Sequence, residues 1–166
     1  MPKRRWLNER EAHLWRSWLR LNHELAGLLA DQLLRSSGLS AADYAVLVVL
    51  SESPGGMLRA RELGREILWG RSRLSHHVGR MERRGLVTRQ ECTEDARGAV
   101  VRMTDAGRAA IKGAAPGHVA ATRRYFFDLL SDHEIDTLTA VFDRVLINLG
   151  LDGDSETATT VSTPGR

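Results

Sequence analysis

The chain has 166 residues, of which 42% are hydrophobic and 27% charged, with a net charge of +3 and a pI near 9.6. This length suits one domain with its own hydrophobic core, so folding requires neither disulfides nor a structural metal. Cys92 is the one cysteine, which excludes an internal disulfide and a cysteine-only zinc site. With no secretion signal and no run of about 18 apolar residues, we expect a cytoplasmic protein without a membrane span.

A long amphipathic helix is predicted from Glu9 to about Ser36. Leucine and tryptophan recur there in alternating steps of four and three, and a second apolar row lies beside the first. Such a helix spans about 40 Å at the usual helical rise. It is apolar over more of its circumference than a small domain covers, so we expect it to pack on a partner subunit as well.

Three further helices are predicted before the middle of the chain. Gly38 is a stop signal, and the apolar run 41–51 behind it is a second, short helix. The run 52–57 is predicted as a loop and the run 59–67 as a third helix. A fourth, charged helix is predicted over 71–84.

The pattern changes to β after Gly85, which is a C-terminal cap signal for the charged helix. Two β-rich runs, 86–91 and 99–103, flank a polar turn and predict a hairpin. Thr104 begins another helix, which the Pro-Gly pair at 116–117 is expected to kink or interrupt.

The last helix begins at the capping box between Ser131 and Glu134, and from Gly150 the chain has no apolar periodicity and is expected to be disordered. This order of elements predicts a mostly α (α+β) fold: a winged helix-turn-helix with long helical arms at its N- and C-terminal ends. The predicted organisation is an N-terminal arm, a winged helix-turn-helix domain, C-terminal helices and a tail, at 1–36, 37–103, 104–149 and 150–166.

The charged helix has two distinct faces. Leu74, Val78 and Met81 fall within a narrow arc and are predicted to face the core. The opposite face has no carboxylate, whereas a solvated helix normally alternates acids and bases four residues apart. Arginine matches both the guanine edge and phosphate. The outward residues predicted to bind DNA are Ser72, Arg73, His76, Arg80 and Arg83, with Gly79 leaving room for close approach.

The alternatives for this helix are a basic surface without a partner and a histidine metal site. The region Arg59–Arg102 holds eleven arginines against six acids, a surplus of five charges that exceeds the +3 of the whole chain. A polyanionic partner accounts for such a concentration. His76 and His77 diverge by about 100°, and no His or Cys follows at a ligating distance. We therefore predict no metal, a DNA contact for His76 and packing for His77.

The hairpin and the start of the next helix carry a specific signature. The run DARGAVVRMTDAG has Asp-x-Arg, a strand and Thr-x-x-Gly at Asp95, Arg97, Thr104 and Gly107. This pattern, with the preceding MERRGLVTR, resembles the multiple-antibiotic-resistance-regulator (MarR) family over most of 14–149. The resemblance implies a homodimer whose first and last helices interlock and whose wings lie in the DNA minor groove.

The resemblance also implies roles for single residues. Arg97 would enter the narrow minor groove, where negative potential is concentrated, and Asp95 would hold the wing turn in position. Many members of the family are repressors released by a small phenolic or lipophilic acid. The aromatic residues that are candidates for lining such a ligand cavity, although aromatics at helical spacing more often pack in a core, are Trp15, Trp18, Tyr44 and Trp69.

The sequence therefore predicts a DNA-binding transcriptional regulator that binds a pseudo-palindromic operator as a homodimer. Neither an enzyme nor a cofactor is predicted, because the chain has no phosphate-binding loop, nucleophile elbow or metal-ligand spacing. The alternative is a dimeric winged-helix scaffold without specific DNA binding. Arg97 and the acid-free helix face disfavour it, since a scaffold requires neither.

Overall fold

The computed structural model describes residues 6–91 and 99–151 of the chain. It divides into two compact units, Met1–Thr122 and Arg123–Arg166. The helices and strands of the described residues are, in chain order, α1 (Glu9–Ser37), α2 (Ala41–Glu52), β1 (Met57–Arg59), α3 (Ala60–Glu66), α4 (Arg71–Arg83), β2 (Val87–Glu91), β3 (Ala99–Met103), α5 (Asp105–Tyr125) and α6 (Asp132–Asn148). The predicted winged helix-turn-helix is confirmed, and the tail predicted from Gly150 lies almost entirely outside the described residues.

The sheet has three antiparallel strands in the order β1-β3-β2. The predicted hairpin is confirmed, with Val87 opposite Met103 and Glu91 opposite Ala99. The sequence did not predict β1, which lies partly in the predicted loop 52–57. It has three residues, too few to show an alternating pattern, and pairing of Met57–Arg59 with β3 defines it as a strand.

One continuous core lies between α2, α3, α4 and the sheet. Its buried apolar side chains come from every one of these elements and from the turn between α1 and α2: Leu39, Val46, Leu47, Leu50, Leu63, Leu74, Val78, Met81, Val87, Val101 and Met103. The stripe Leu74, Val78 and Met81 is therefore buried as predicted. Because it anchors one side of α4, the opposite side is left facing solvent.

The Thr-x-x-Gly motif joins the hairpin to α5. The Thr104 hydroxyl donates to the carbonyl of Gly85 (2.6 Å) and accepts from the N–H of Gly107 (3.0 Å), so Thr104 caps the helix and ties it to the end of α4. A Cβ at Gly107 would lie 2.2 Å from the Leu86 carbonyl oxygen. The motif thus needs a glycine because the backbones of α5 and the chain before β2 touch there.

Helix α5 runs without interruption through Pro116, so the Pro-Gly pair does not interrupt the helix. Proline removes one backbone donor, but the helix is held on both sides of it, by buried Ala114 and Ala121. Gly117 also lies close to α1, since a Cβ there would approach Gln32 Nε2 to 3.1 Å. Packing on both sides outweighs the local preference of the Pro-Gly pair.

Helices α1 and α6 bury little of their apolar surface. In α1 only Leu33 is buried, and Leu14 is 71% exposed. In α6 none of the described residues is buried. Both begin at capping boxes, at Asn8 and Ser131. Among the described residues no single helix has the length and apolarity of a membrane span, and α1 and α2 pass that test only as a pair, bent by 79°.

Candidate nucleic-acid interface

The turn between α3 and α4 sets the direction of the charged helix. The N–H groups of Leu68 and Trp69 donate to the carbonyls of Arg65 and Gly64, which closes α3 in a Schellman motif. Leu68 occupies the left-handed position with φ 55° and is 81% exposed. Glycine is usual there, because a side chain costs about 1–2 kcal/mol in this conformation.

The C-terminal end of α4 is closed in the same way as that of α3. Gly85, with φ 72°, donates to Glu82, and Leu86 donates to Met81 at 3.0 Å. The C-terminal cap predicted at Gly85 is confirmed. Backbone hydrogen bonds fix the turn before α4 and its C-terminal end, and the core fixes one of its sides. The opposite side of α4 is therefore held rigidly toward solvent.

All five residues of α4 predicted to bind DNA are exposed. The side chains of Ser72, His76 and Arg83 make no hydrogen bond or ion pair with the described part of the chain, whereas those of the other two are held. The Arg73 guanidinium lies 4.3 Å from the centre of the Trp69 ring, a cation–π contact. The Arg80 guanidinium donates to His77 Nδ1 at 2.7 Å.

The wing is attached to one flank of α4 through Arg89 of β2. Its guanidinium donates to the Ser75 carbonyl at 2.7 Å, and its backbone N–H donates to Glu82 at 3.0 Å. A Cβ at Gly79 would lie 2.7 Å from Arg89 Nη2. The room predicted for DNA at Gly79 therefore accommodates Arg89 instead, and Glu82, the one acid of the helix, faces the wing.

A buried polar cluster that the sequence did not predict lies beneath the other flank. Asp43 of α2, 2% exposed, accepts from Arg84 at 2.6 Å and lies 3.1 Å from His77 Nε2. The His77–Asp43 contact is electrostatic, because its alignment falls outside hydrogen-bond geometry. Arg84 also donates to the Gly38 carbonyl at 3.0 Å. The cluster thus ties both ends of the α1–α2 turn to the end of α4.

The cluster fixes the ionisation of its members. Burial alone raises the pKa of Asp43, but the Ser40 cap and the Arg84 guanidinium outweigh it, and the pKa of Asp43 falls below its usual range. Burial lowers the pKa of His77, and the nearby Arg80 and Arg73 act in the same direction, although Asp43 opposes them. Asp43 is therefore ionised and His77 neutral at physiological pH.

The wing tip lies outside the described residues. The predictions for Asp95 and Arg97 therefore remain predictions. Among residues 6–91 and 99–151, no three His, Cys, Asp or Glu side chains are grouped as metal ligands. His76 is exposed and His77 is buried, so the two adjacent histidines face different surroundings.

The four aromatic candidates for a ligand cavity occupy different surroundings. Trp15 and Trp18 are 54% and 41% exposed on α1. The Tyr44 ring lies 4.5 Å from that of His118 on α5, between helices of the same unit. Trp69 borders an open groove of about 1120 Å³ between α3, α4 and the sheet. The arginines that line this groove are Arg59, Arg61, Arg65, Arg71 and Arg89.

The fold and the exposed arginine face define a winged helix-turn-helix protein, and comparison with known proteins gives the family. The MarR family model matches residues 37–98. Sco3205, a MarR family transcriptional regulator from Streptomyces coelicolor solved in complex with DNA, is 37% identical over 95% of this chain and 97% of its own, with a TM-score of 0.86. AbsC, of the same family and organism, is 38% identical over 88% of this chain and 95% of its own, with a TM-score of 0.80.

A third similar structure contains a ligand. CouR from Rhodococcus jostii RHA1, bound to p-coumaroyl-CoA, is 25% identical over 76% of this chain and 86% of its own, with a TM-score of 0.64. No curated protein sequence matches the chain. The chain belongs to the MarR family of transcriptional regulators. Its family and structural neighbours are regulators and not enzymes.

Proposed function

We propose that this protein is a homodimeric, sequence-specific DNA-binding repressor whose α4 enters the major groove. The observation that carries the proposal is the exposed, acid-free face of α4, with Ser72, His76 and Arg83 free of intramolecular polar contacts among the described residues. Two further arginines on its flank are held in place by Trp69 and His77. Free polar groups on a rigid helix are suited to contact bases and phosphates.

The homodimer is supported by the apolar surface of α1. A soluble helix that leaves a row of large apolar side chains uncovered is expected to bury it against another chain. Several side chains of α1 are at least two-fifths exposed: Leu14, Trp15, Trp18, Leu19, Leu21, Leu28 and Leu34. A two-fold dimer predicts a pseudo-palindromic operator with half-sites about one helical turn, 34–36 Å, apart.

Release by a small phenolic or lipophilic acid is part of the proposal. Its support is the resemblance to CouR, whose structure contains p-coumaroyl-CoA. A candidate effector is one that dissociates the protein from its operator. Trp15, Trp18, Tyr44 and Trp69 remain the predicted lining residues, and substitution of Tyr44 or Trp69 should alter the effector concentration needed for release.

DNA binding is tested by fluorescence anisotropy with the fragment immediately upstream of the coding sequence and a shuffled fragment of equal composition. We expect tight binding with preference for the native fragment. Its affinity should fall steeply with salt, with a log–log slope of about −0.9 per phosphate contacted. Equal, weak binding to both fragments would favour the dimeric scaffold instead.

Two variants that each remove one positive charge, on different surfaces, test whether the exposed face of α4 binds DNA. Arg83→Gln should weaken binding to both fragments and reduce the salt slope by about 1, as expected for a phosphate contact. Arg35→Gln, in the last turn of α1, removes the same charge from an exposed pair with Asp31 and serves as the control. Equal losses in both variants would show that net charge, and not the α4 face, governs binding.

The wing is tested by Arg97→Ala, which should weaken the free energy of DNA binding by about 1–3 kcal/mol in the same assay.

A further inference from the structure

A chain of polar groups runs from the start of α2 to the exposed face of α4. Asp43 Oδ1 lies 3.1 Å from His77 Nε2, and the Arg80 guanidinium lies 2.7 Å from His77 Nδ1. Asp43 and His77 are 2% and 5% exposed, whereas Arg80 belongs to the exposed surface. A buried acid on one helix is therefore connected, through one ring, to a solvent-facing arginine on another.

These contacts fix where the ring proton of His77 lies. A guanidinium has donors and no acceptor, so His77 Nδ1 accepts from Arg80. The ring proton of the neutral imidazole is then on Nε2, which faces the Asp43 carboxylate. His77 is therefore the neutral Nε2–H tautomer, with its acceptor turned toward Arg80.

We propose that His77 and Asp43 are positioning residues for Arg80, holding its guanidinium where it reads the operator. The inference rests on the proposed function, in which Arg80 contacts DNA. An arginine on an exposed helix samples many rotamers, and a bond to a buried ring removes that freedom before DNA arrives. Asp43 acts through the ring, because its carboxylate favours the tautomer whose Nδ1 is free to accept.

The contact also makes the position of Arg80 depend on the charge of His77. The charged groups that face His77 are Asp43 from α2 and Arg73 and Arg80 from α4. Trp69, from the turn before α4, packs edge-on with its ring centre 5.3 Å away and adds no charge. A proton on Nδ1 removes the acceptor that Arg80 uses. In acid the contact therefore breaks, and the positively charged imidazolium repels the guanidinium.

A double-mutant cycle separates positioning from folding. We expect His77→Leu and Arg80→Ala each to weaken binding to the native fragment by about tenfold, the effect of one hydrogen bond to a charged group. Since both act through the same contact, the double variant should bind no more weakly than Arg80→Ala alone. Fluorescence anisotropy gives the affinities, and circular dichroism establishes that each variant is folded.

A second variant keeps the test independent of folding. His77→Gln retains an acceptor and a donor without titrating, and we expect it to bind within about twofold of the parent at neutral pH. As the pH falls below about 6.5, binding by the parent should weaken and binding by His77→Gln should not, because burial places the pKa of His77 below its ordinary value. Both proteins carry His76→Gln, so that they differ only at the buried imidazole of α4. His118→Gln, on α5, is the control and should keep the parent's acid dependence.

Each outcome assigns the failure to one proposal. Additive losses in the double variant, or an acid dependence that survives His77→Gln, would overturn the positioning role and leave the proposed function intact. An unchanged affinity of Arg80→Ala would remove Arg80 from the DNA contacts and overturn the inference. A parent protein without preference for the native fragment would overturn the proposed function, and the inference with it.

Discussion

The first two helices differ in how the protein covers their apolar residues. Helix α1, with 29 residues, buries Leu33 alone, whereas α2, with 12 residues, buries Val46, Leu47 and Leu50 together with Asp43. Helix α2 packs against α3, α4 and the sheet, and its buried acid is paired with Arg84 and lies against His77. The two helices follow one another directly, joined through Gly38.

This difference separates two sources of stability within one chain. The winged-helix module, comprising α2 to β3, has a closed core that a single chain supplies. The outer row of α1, formed by Leu14, Leu21 and Leu28, has no such cover among the described residues, and apolar side chains exposed in this way favour association. Changes in the module should therefore lower the free energy of unfolding, and changes in the row should lower the free energy of association.

The largest effect is expected from charges placed on the outer row of α1. Leu14→Glu with Leu21→Glu should dissociate the proposed homodimer, because burying an unpaired carboxylate costs about 3 kcal/mol or more, which is a hundredfold or more in the dissociation constant. The module should keep its core. Sedimentation velocity measures the oligomeric state, and circular dichroism follows the fold.

The matched control for this experiment is Arg16→Gln, which alters the net charge by one unit at an exposed position about 140–160° around the helix from Leu14 and Leu21. It should leave the sedimentation coefficient unchanged. A charged outer row that still sediments as a dimer would show that other surfaces hold the subunits together.

A smaller effect is expected inside the module at Gly107. Gly107→Ala places a methyl group 2.2 Å from the Leu86 carbonyl oxygen, so the start of α5 must move, at a cost of about 3 kcal/mol in the free energy of unfolding. Gly113→Ala, in the same helix, meets nothing within 4 Å and should stabilise by about 0.5–1 kcal/mol. Urea denaturation compares the two, and equal effects would contradict the close approach at Gly107.

The buried acid of the module and an exposed acid of α1 provide a third comparison. Asp43→Ala removes the partner of buried His77 and a cap of α2, and we expect a loss of about 2–3 kcal/mol in stability. Asp31→Ala breaks an exposed pair with Arg35 and should cost less than about 0.5 kcal/mol. Thermal and urea denaturation of both variants measure the difference, and similar losses would mean that the Asp43 cluster adds no stability.

The smallest effect is an acid-dependent loss of stability in the unit that holds the module. Burial lowers the pKa of both His77 and His118. The unfolded chain therefore binds more protons as pH falls below about 6.5, and the free energy of unfolding falls with it. The contribution is fully present above that pH. Urea denaturation across this range should show a weaker pH dependence in His118→Gln; an unchanged dependence would exclude His118 from it.

The fold was largely predictable because its signals are local. The stripe of Leu74, Val78 and Met81 repeats at helical spacing, and Gly38 and Gly85 end helices by a backbone conformation that glycine favours. Two features were missed for the opposite reason. The strand at Met57–Arg59 exists through pairing with a distant strand, and α5 continues through Pro116 because tertiary packing holds it.

The sequence predicted which residues lie at the site, and it did not predict the contacts between them. Spacing alone placed Arg73, Arg80 and Arg83 on the exposed side of α4. It gave no indication that Arg80 bonds to a buried histidine, because the acid that completes the cluster, Asp43, lies on another helix. Position 79 was misread for the same reason, since the side chain that fills the space at Gly79 comes from β2.

The division of α4 into held and free side chains has a consequence for how operators diverge among related regulators. Ser72, His76 and Arg83 can be exchanged without disturbing any side-chain hydrogen bond or ion pair among the described residues, so a duplicated gene can acquire a new operator through these three positions. Arg73 and Arg80 each require a compensating change at Trp69 or His77. Divergence of DNA specificity should therefore begin at the free positions and reach the held ones only in pairs.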